Sequence, residues 1–435
     1  MTQTEKYDEY KNSWIEWIGK IPKDWEIIRL KNVLKERNEK NRSIKTKKIL
    51  SLTKNRGVIP YSEKGNIGNK SKDNLEKYKL AYPNDIVVNS MNVIIGSVGL
   101  SEYFGALSPV YYTLYIRNKN DNINYFNYIF QVEGFQKFLA GYGNWILSHR
   151  MRIPMINLND VSVPYAKPRE QQKIASYLDS KTSKIDSLIE KKKKMIQNLK
   201  EYKKSLITQA VTKGKLGDKY LNSDGELVDE IEMKDSWIEW IGEVPENWGI
   251  SKLKYVSKVK MGSSPPSKGY NSQGNGSPFL QWNAEFSNIH PQPKKYCNNA
   301  SKFSKKEDIL ISVRAPVGEL NISDQIYAIG RGLCAISAEQ NLNKLYLWFL
   351  LKAFRKELFM LSTGSTYDSV SSDDLKNITI LFPMLENQQK IASYLDAKTS
   401  KIDKSIEKIE KSIDLLEEYK TSLISHVVTG KVKVV

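Results

Sequence analysis

Six cations crowd residues 42 to 56: Arg42, Lys45, Lys47, Lys48, Lys54 and Arg56. A second group, Lys294, Lys295, Lys302, Lys305 and Lys306, falls far along the chain. Their chemistry is that of phosphate binding. Ammonium and guanidinium groups neutralise a polyanion and release its counterions, which positions a protein on nucleic acid without reading sequence. Reading bases takes Arg, Asn, Gln and hydroxyl groups on loops that reach a groove. Candidates are Asn55, Arg56, Arg150 and Arg152 in the first half, and Lys268, Tyr270, Asn271, Gln273, Arg314 and Arg331 in the second.

The charge is concentrated where these residues lie. Lys plus Arg is 67 against 49 Asp plus Glu, a net of +18. Residues 31–79 hold 15 cations and 5 acids, and residues 251–306 hold 10 lysines and one acid, Glu285. Those two windows carry the whole excess. A lysine surface kept for solubility has no reason to gather twice, whereas two lobes facing a polyanion do.

Catalytic chemistry is hard to find. Gly-Lys occurs at 19–20, 214–215 and 430–431, followed by Ile, Leu or Val, so no P-loop is present. His149, His290 and His426 are scattered, and Cys297 and Cys334 are the only cysteines, which leaves no metal-ligand spacing. No Asn-Pro-Pro-Tyr-like motif accompanies a methyl-donor loop; Ser263-Ser264-Pro265-Pro266 is a superficial echo. No apolar run is long enough to span a bilayer. The N-terminus lacks a secretory signal, and the expected compartment is the cytoplasm.

The elements that must position the basic lobes are written twice. Ser13-Trp14-Ile15-Glu16-Trp17-Ile18-Gly19 recurs as Ser236-Trp237-Ile238-Glu239-Trp240-Ile241-Gly242. Gln171–Asp186 recurs as Gln388–Asp403 with 15 of 16 positions identical, Ala397 replacing Ser180. Between these blocks the copies barely agree, beyond Asp85-Ile86-Val87-Val88 against Asp308-Ile309-Leu310-Ile311 and Gly96 against Gly318. Each copy therefore reads as shared entrance, divergent middle and shared exit helix.

In the middles, Asp85–Asn89, Val93–Leu100, Val110–Ile116 and Ile309–Val313 are expected as strands. Tyr125–Leu139 and Leu342–Leu361 are expected as helices. Gly262–Gly276 reads as a long loop, and Gly217–Asp235, with seven acids and two lysines, as a solvated linker.

The exit segments contain neither Pro nor Gly from Arg169 to Thr212 and from Glu386 to Thr429. Leu178, Ile185, Lys192, Leu199 and Leu206 repeat every seven residues, with Leu188, Met195 and Tyr202 between them. Leu395, Ile402, Ile409, Leu416 and Leu423 do the same, with Ile406 and Ile413. That period predicts a coiled coil of rods about 65 Å long. The two rods are expected to pair with each other, antiparallel if the copies are related by a pseudo-twofold.

These residues resemble a family. Trp25 to Leu30 and Trp248 to Leu253 form the entrance. Pro168-Arg169-Glu170-Gln171-Gln172-Lys173-Ile174 and Pro383-Met384-Leu385-Glu386-Asn387-Gln388-Gln389-Lys390-Ile391 open the helices. Val211-Thr212-Lys213-Gly214-Lys215 and Val428-Thr429-Gly430-Lys431 close them. The order closely resembles the specificity subunit of type I restriction–modification systems. Asn387 stands where the family carries an acid, Pro383 falls two residues early, and Lys213 is an insertion.

The resemblance implies an α+β chain with two mixed α/β target-recognition domains in pseudo-twofold arrangement, separated by two long antiparallel coiled-coil helices. Expected boundaries are 1–168 for the first domain, 169–213 for the first helix, 214–235 for the linker, 236–384 for the second domain and 385–435 for the second helix. It implies a non-catalytic subunit that binds double-stranded DNA at a bipartite site and docks two modification subunits. S-adenosylmethionine, ATP and Mg would then reside on modification and restriction subunits rather than on this chain, and no membrane would be involved. The competing readings are an enzyme with an unrecognised site, and a coiled-coil scaffold or silent cassette that binds DNA or RNA without sequence preference.

Overall fold

The computed structural model describes residues 5–53, 56–65, 74–147, 150–339, 341–362 and 369–434. The chain forms two compact units, one of residues 1–193 with 410–435 and one of residues 194–409.

Both units contain the same four-stranded antiparallel sheet. In the first unit, β1 (Leu34–Glu36), β2 (Ile86–Asn89), β3 (Val98–Leu100) and β4 (Tyr111–Ile116) lie in the order β1-β4-β2-β3. In the second, β5 (Ser257–Met261), β6 (Ile309–Ser312), β7 (Leu320–Ile322) and β8 (Leu333–Ala338) lie in the order β5-β8-β6-β7. The matched aspartates explain why β2 and β6 begin where they do. Asp85 accepts from the Tyr82 N–H at 2.9 Å and Asp308 from the Lys305 N–H at 2.7 Å, so each closes the turn into its buried strand. Asp85 also takes both ends of the Arg37 guanidinium, at 2.8 and 3.1 Å.

The expected strand Val93–Leu100 is interrupted. Val93–Ile95 is a 3-10 turn and only Val98–Leu100 pairs, because Gly96 turns the chain at φ +83°. Gly318 adopts the same φ at the matching place.

The expected helices also break. In the first unit α1 (Ile123–Gln131) ends at the extended Val132, and a separate short helix follows over Glu133–Phe138. The long helix α2 (Pro168–Lys213) comes next. In the second unit α3 (Lys344–Ala353) ends at Phe354 before Arg355–Ser362, and α4 (Leu385–Val428) closes the chain. Asn122 and Asn343 cap α1 and α3 by accepting first-turn N–H groups. Tyr125 and Tyr346, each three residues past its cap, donate to the Pro164 and Leu381 carbonyls at 3.0 and 3.1 Å.

Each unit contains one half of α2 packed against one half of α4. In the first, Lys420 near the end of α4 reaches Asp186 in the first half of α2 at 2.7 Å. In the second, Lys203 near the end of α2 reaches Asp403 in the first half of α4 at 2.6 Å. In both units the helix halves therefore run antiparallel, and the two ion pairs are the same pair of repeat positions.

The inward stripe differs from the expected seam. Leu178, Ile185, Leu206, Leu395, Ile402 and Leu423 are buried, and Leu199, Ile409 and Leu416 half-buried. Leu188, Met195 and Tyr202, however, are 47%, 55% and 58% exposed. The intermediate row is Thr182, Ile189, Ile196, Lys203 and Ala210, four residues past each seventh residue rather than three. On the second helix the matching Thr399, Ile406, Ile413 and Val427 are buried.

The acidic segment Gly217–Asp235 is not an open linker. Lys215–Leu216, Lys219–Leu221 and Leu227–Val228 form a small antiparallel sheet. The start of α4 holds it in place, through Asn387 to the Asn222 carbonyl at 2.8 Å and Lys390 to the Gly225 carbonyl at 3.0 Å.

Two expectations follow for stability. Ile189→Ala should destabilise the protein by about 2–4 kcal/mol, whereas Leu188→Ala should stay within about 0.5 kcal/mol; urea unfolding distinguishes them. The second concerns Lys352, whose ammonium lies 4.3 Å from the Trp348 ring centroid. Burial, with Lys203 adding repulsion and Asp403 opposing, pushes its pKa down from 10.5 to about 8. Between those values the unfolded chain holds the proton and the native chain does not, so stability rises as pH rises through that window. Lys352→Gln, which installs the residue found at the matching Gln131, should abolish that rise and stabilise the protein at neutral pH. Denaturant midpoints at pH 7 and pH 10 check it.

Candidate nucleic-acid interface

In the second unit three loops meet at one end of the sheet. Antiparallel pairing of β8 with both β5 and β6 requires it, since Met261 pairs Cys334 and Ser312 pairs Leu333. The chain leaving β5, the chain leaving β6 and the chain entering β8 thus share an edge. Gly262 donates to the Leu333 carbonyl and Val313 to the Gly332 carbonyl, each at 2.9 Å. Arg314 and Arg331, seventeen positions apart in sequence, are both exposed on this edge.

Arg331 stands between two glycines with little room for a side chain. A Cβ on Gly330 would sit 2.9 Å from the Gln281 Cα, and one on Gly332 would sit 3.2 Å from the Trp282 Cβ. The Arg331 N–H meets the Ser264 hydroxyl at 3.3 Å. Trp282, an exposed indole absent from the sequence-based candidates, is thereby placed beside the Gly330–Gly332 loop. The only sequence signal for it was an indole within a basic window. Together an arginine fork, a serine hydroxyl and an indole face are what hydrogen bonding and stacking on bases require.

Glu285 helps shape the Trp282 turn. Its side chain is buried, and burial raises its pKa, against backbone hydrogen bonds from the turn and the nearby Lys295 and Lys294. Tyr270 is held by the scaffold rather than presented to solvent. Its hydroxyl donates to the Pro265 carbonyl at 2.8 Å, and its ring stacks on Phe279 with centroids 4.9 Å apart. Asn271 and Gln273 belong to the following turn, where the Asn271 side chain accepts from the Gln273 and Asn275 N–H groups.

The remaining lysines spread over separate elements. Lys302 accepts the Ile329 N–H through its carbonyl and so borders the three-loop edge. Lys305 and Lys306 precede β6 and lie at the opposite end of that strand. Lys268, Lys294 and Lys295 are exposed, with Lys295 opening the strand Lys295–Cys297.

In the first unit the basic residues do not share one edge. Arg42, Lys45, Lys47 and Lys48 are exposed around a turn stapled by buried Asn41, which accepts the Thr46 N–H at 3.1 Å and donates to its carbonyl at 2.9 Å. Lys45 pairs with Glu39 at 2.5 Å, Arg56 with Glu63 at 2.9 Å, and Lys48 lies 4.1 Å from the Tyr103 ring centroid. Arg42 and Lys47 have no acidic partner among the described residues. Lys54 and Asn55 lie outside the described residues, as does the side chain of Arg150. Arg152 is exposed in the strand Arg150–Arg152, and the next residue, Ile153, donates to the Ser90 carbonyl just past β2. The loops that match Arg314 and Gly332 in the second unit here carry Met91 and Val110, both exposed.

Among the described residues no group of three His, Cys, Asp or Glu side chains could hold a metal ion. No described helix is long and apolar enough to cross a membrane.

Two copies of one scaffold, with different exposed loop edges and cations spread over separate exposed elements, define a duplicated protein suited to a polyanion. The family model of the type I restriction modification DNA specificity domain matches residues 22–198 and again 245–415. A putative type I restriction enzyme MjaX specificity subunit of Methanocaldococcus jannaschii is 31% identical over 435 residues, covering 96% of each chain. The MjaIX specificity subunit of the same organism is 29% identical over 168 residues, 36% of this chain and 38% of that one. A chain solved in work on assembly and conformational transition of a type I restriction–modification system shares the fold, with TM-score 0.74 at 18% identity, covering 94% of this chain and 98% of that one. The HsdS subunit from Thermoanaerobacter tengcongensis gives TM-score 0.53 at 18% identity, with 95% and 98% covered. The chain belongs to the type I restriction–modification specificity subunits and carries two copies of their DNA specificity domain.

Arg331→Ala should weaken binding to the preferred duplex by about 1–3 kcal/mol and relax preference at one base pair. Lys47→Ala should instead weaken all duplexes alike and reduce the slope of log affinity against log salt by about one. Competition binding at several salt concentrations separates the two.

Proposed function

We propose that this chain is the non-catalytic subunit that selects a bipartite double-stranded DNA target, one half-site per unit, with the helices setting the spacer. On this reading it directs adenine methylation by two modification subunits and ATP-dependent cleavage by restriction subunits, in the cytoplasm. It binds no cofactor itself; S-adenosylmethionine, ATP and Mg belong to the partners. One observation supports this above others. The units repeat the same sheet order, helix caps and Lys–Asp pair, yet the same sheet end carries Arg314 and Arg331 in one and Met91 and Val110 in the other. A common frame with unlike reading edges is what two different half-sites require.

The test is a genome-wide map of methylated adenines in cells with and without this chain, the modification subunit being present in both. A two-part methylated motif should vanish on deletion. Exchanging residues 31–150 for those of another family member should change one half of the motif and leave the other intact. A motif that survives deletion, or an exchange that alters both halves, would refute the reading.

A further inference from the structure

Trp14 and Trp237 occupy the same place in the two repeats and are 88% and 89% exposed. Both hold left-handed backbone, at φ +61° and +58°. That region suits glycine and strains any residue with a large side chain. The turn around each is built identically. Ser13 and Ser236 donate their N–H to the Gly19 and Gly242 carbonyls, each at 3.0 Å. The Trp14 N–H donates to Asn12 at 2.9 Å, and the Trp237 N–H to Asp235 at 2.8 Å. A fixed turn thus projects an indole into solvent at a backbone cost, and does so twice. Within the chain the ring gains almost no burial in return.

The surroundings say what kind of partner fits. In the first unit Gly134 lies against Trp17 of the same turn and lines a hollow of about 780 Å³ with Glu133, Asp414, Glu417 and Glu418. In the second, Ile238 and Trp240 of the turn line a hollow of about 520 Å³ with Glu357, Asp373 and Asp374. Residues 217–250, which contain the second turn, hold ten acids against two lysines. The carboxylates beside both turns favour a basic protein partner over phosphate. The turns also belong to the shared sequence rather than to the divergent middles, so their ligand is the same at both ends.

We infer that Trp14 and Trp237 are anchors for two copies of one protein, which offers each indole an apolar slot edged by lysine or arginine. That protein is the modification subunit; the inference rests on the proposed function above and adds a docking point distinct from the long helices. An exposed, rigidly held tryptophan is the side chain that most often dominates an interface.

The test uses the full chain and the modification subunit of the same host, with uptake followed by light scattering on a sizing column and by titration. Trp14→Gly and Trp237→Gly remove the indole and the backbone strain together. The chain alone should melt at the same temperature or higher, and each variant should bind one of its two modification subunits at least tenfold more weakly. The double variant should lose affinity for both. Undiminished uptake overturns the inference. So does a lowered melting temperature, which would assign the indoles to the fold, or weakened duplex binding with uptake intact, which would place them on DNA. A wild-type chain that takes up no modification subunit refutes the proposed function itself, and the inference with it.

Discussion

Everything in each unit depends on one buried tryptophan. Trp25 and Trp248 are both almost fully buried at the foot of a helix pair. In the first unit the indole N–H of Trp25 reaches Glu170, in the first turn of α2, at 3.0 Å. Gly430, just past the end of α4, sits against the same ring, where an added Cβ would lie 3.4 Å from it and 2.2 Å from Pro22. In the second unit Gly214, just past the end of α2, takes that seat, its added Cβ 3.1 Å from Trp248. Each unit is thus closed by the start of one long helix and the end of the other. Positive φ at Gly214 and Gly430 and the lack of room for a Cβ have the same consequence, that only glycine fits.

The two anchors are not equally satisfied. Glu170 accepts from both Trp25 and the Tyr7 hydroxyl, the latter at 2.5 Å. Burial first, and then this carboxylate, pushes the Tyr7 phenol far above its ordinary value. Asn387 replaces Glu170 in the repeat, and the consequence is local. The Trp248 N–H and the Asn387 carbonyl oxygen are both buried without a hydrogen-bond partner. An unsatisfied buried polar atom costs about 1–3 kcal/mol. Asn387 and Lys390 offset part of that by holding the small sheet of residues 215–228. The acidic segment is ordered because the second anchor uses it.

What the sequence displays well is what it states twice. The long helices, their Gly ends and the Asp85 and Asp308 turns are legible because two diverged copies agree on them. The seam error shows the limit of reading one copy alone. Leu188, Met195 and Tyr202 are as apolar as Ile189 and Ile196, so composition cannot choose between the rows. The repeat can: Ile189 and Ile196 match Ile406 and Ile413, whereas Leu188 matches Ser405. Register follows packing, and the row four residues on faces the partner helix in both units. The loop edge is illegible for a different reason. Arg314 and Arg331 share an edge only through the strand order β5-β8-β6-β7, and Trp282 joins them through the parallel pairing of Phe279-Leu280 with Ala328-Ile329, neither of which a local pattern specifies.

That edge separates attraction from reading in physical terms. Lysines such as Lys47, Lys268 and Lys306 sit on exposed surface and act at the range of a screened charge, tolerant of their own mobility. Bidentate recognition of a base tolerates little displacement, and so needs a backbone that cannot shift. Arg331 follows a braced one, since Gly330 donates its N–H to the Leu280 carbonyl at 2.8 Å and a Cβ on either flanking glycine would crowd Gln281 or Trp282. The same close approach that leaves little room for a side chain on either glycine confines the loop from which the arginine projects. In the first unit Arg42 and Lys47 lie around the Asn41 turn, and the matching loops expose Met91 and Val110. The two frames are otherwise the same, and their exposed loop edges differ, Arg314 and Arg331 in one and Met91 and Val110 in the other.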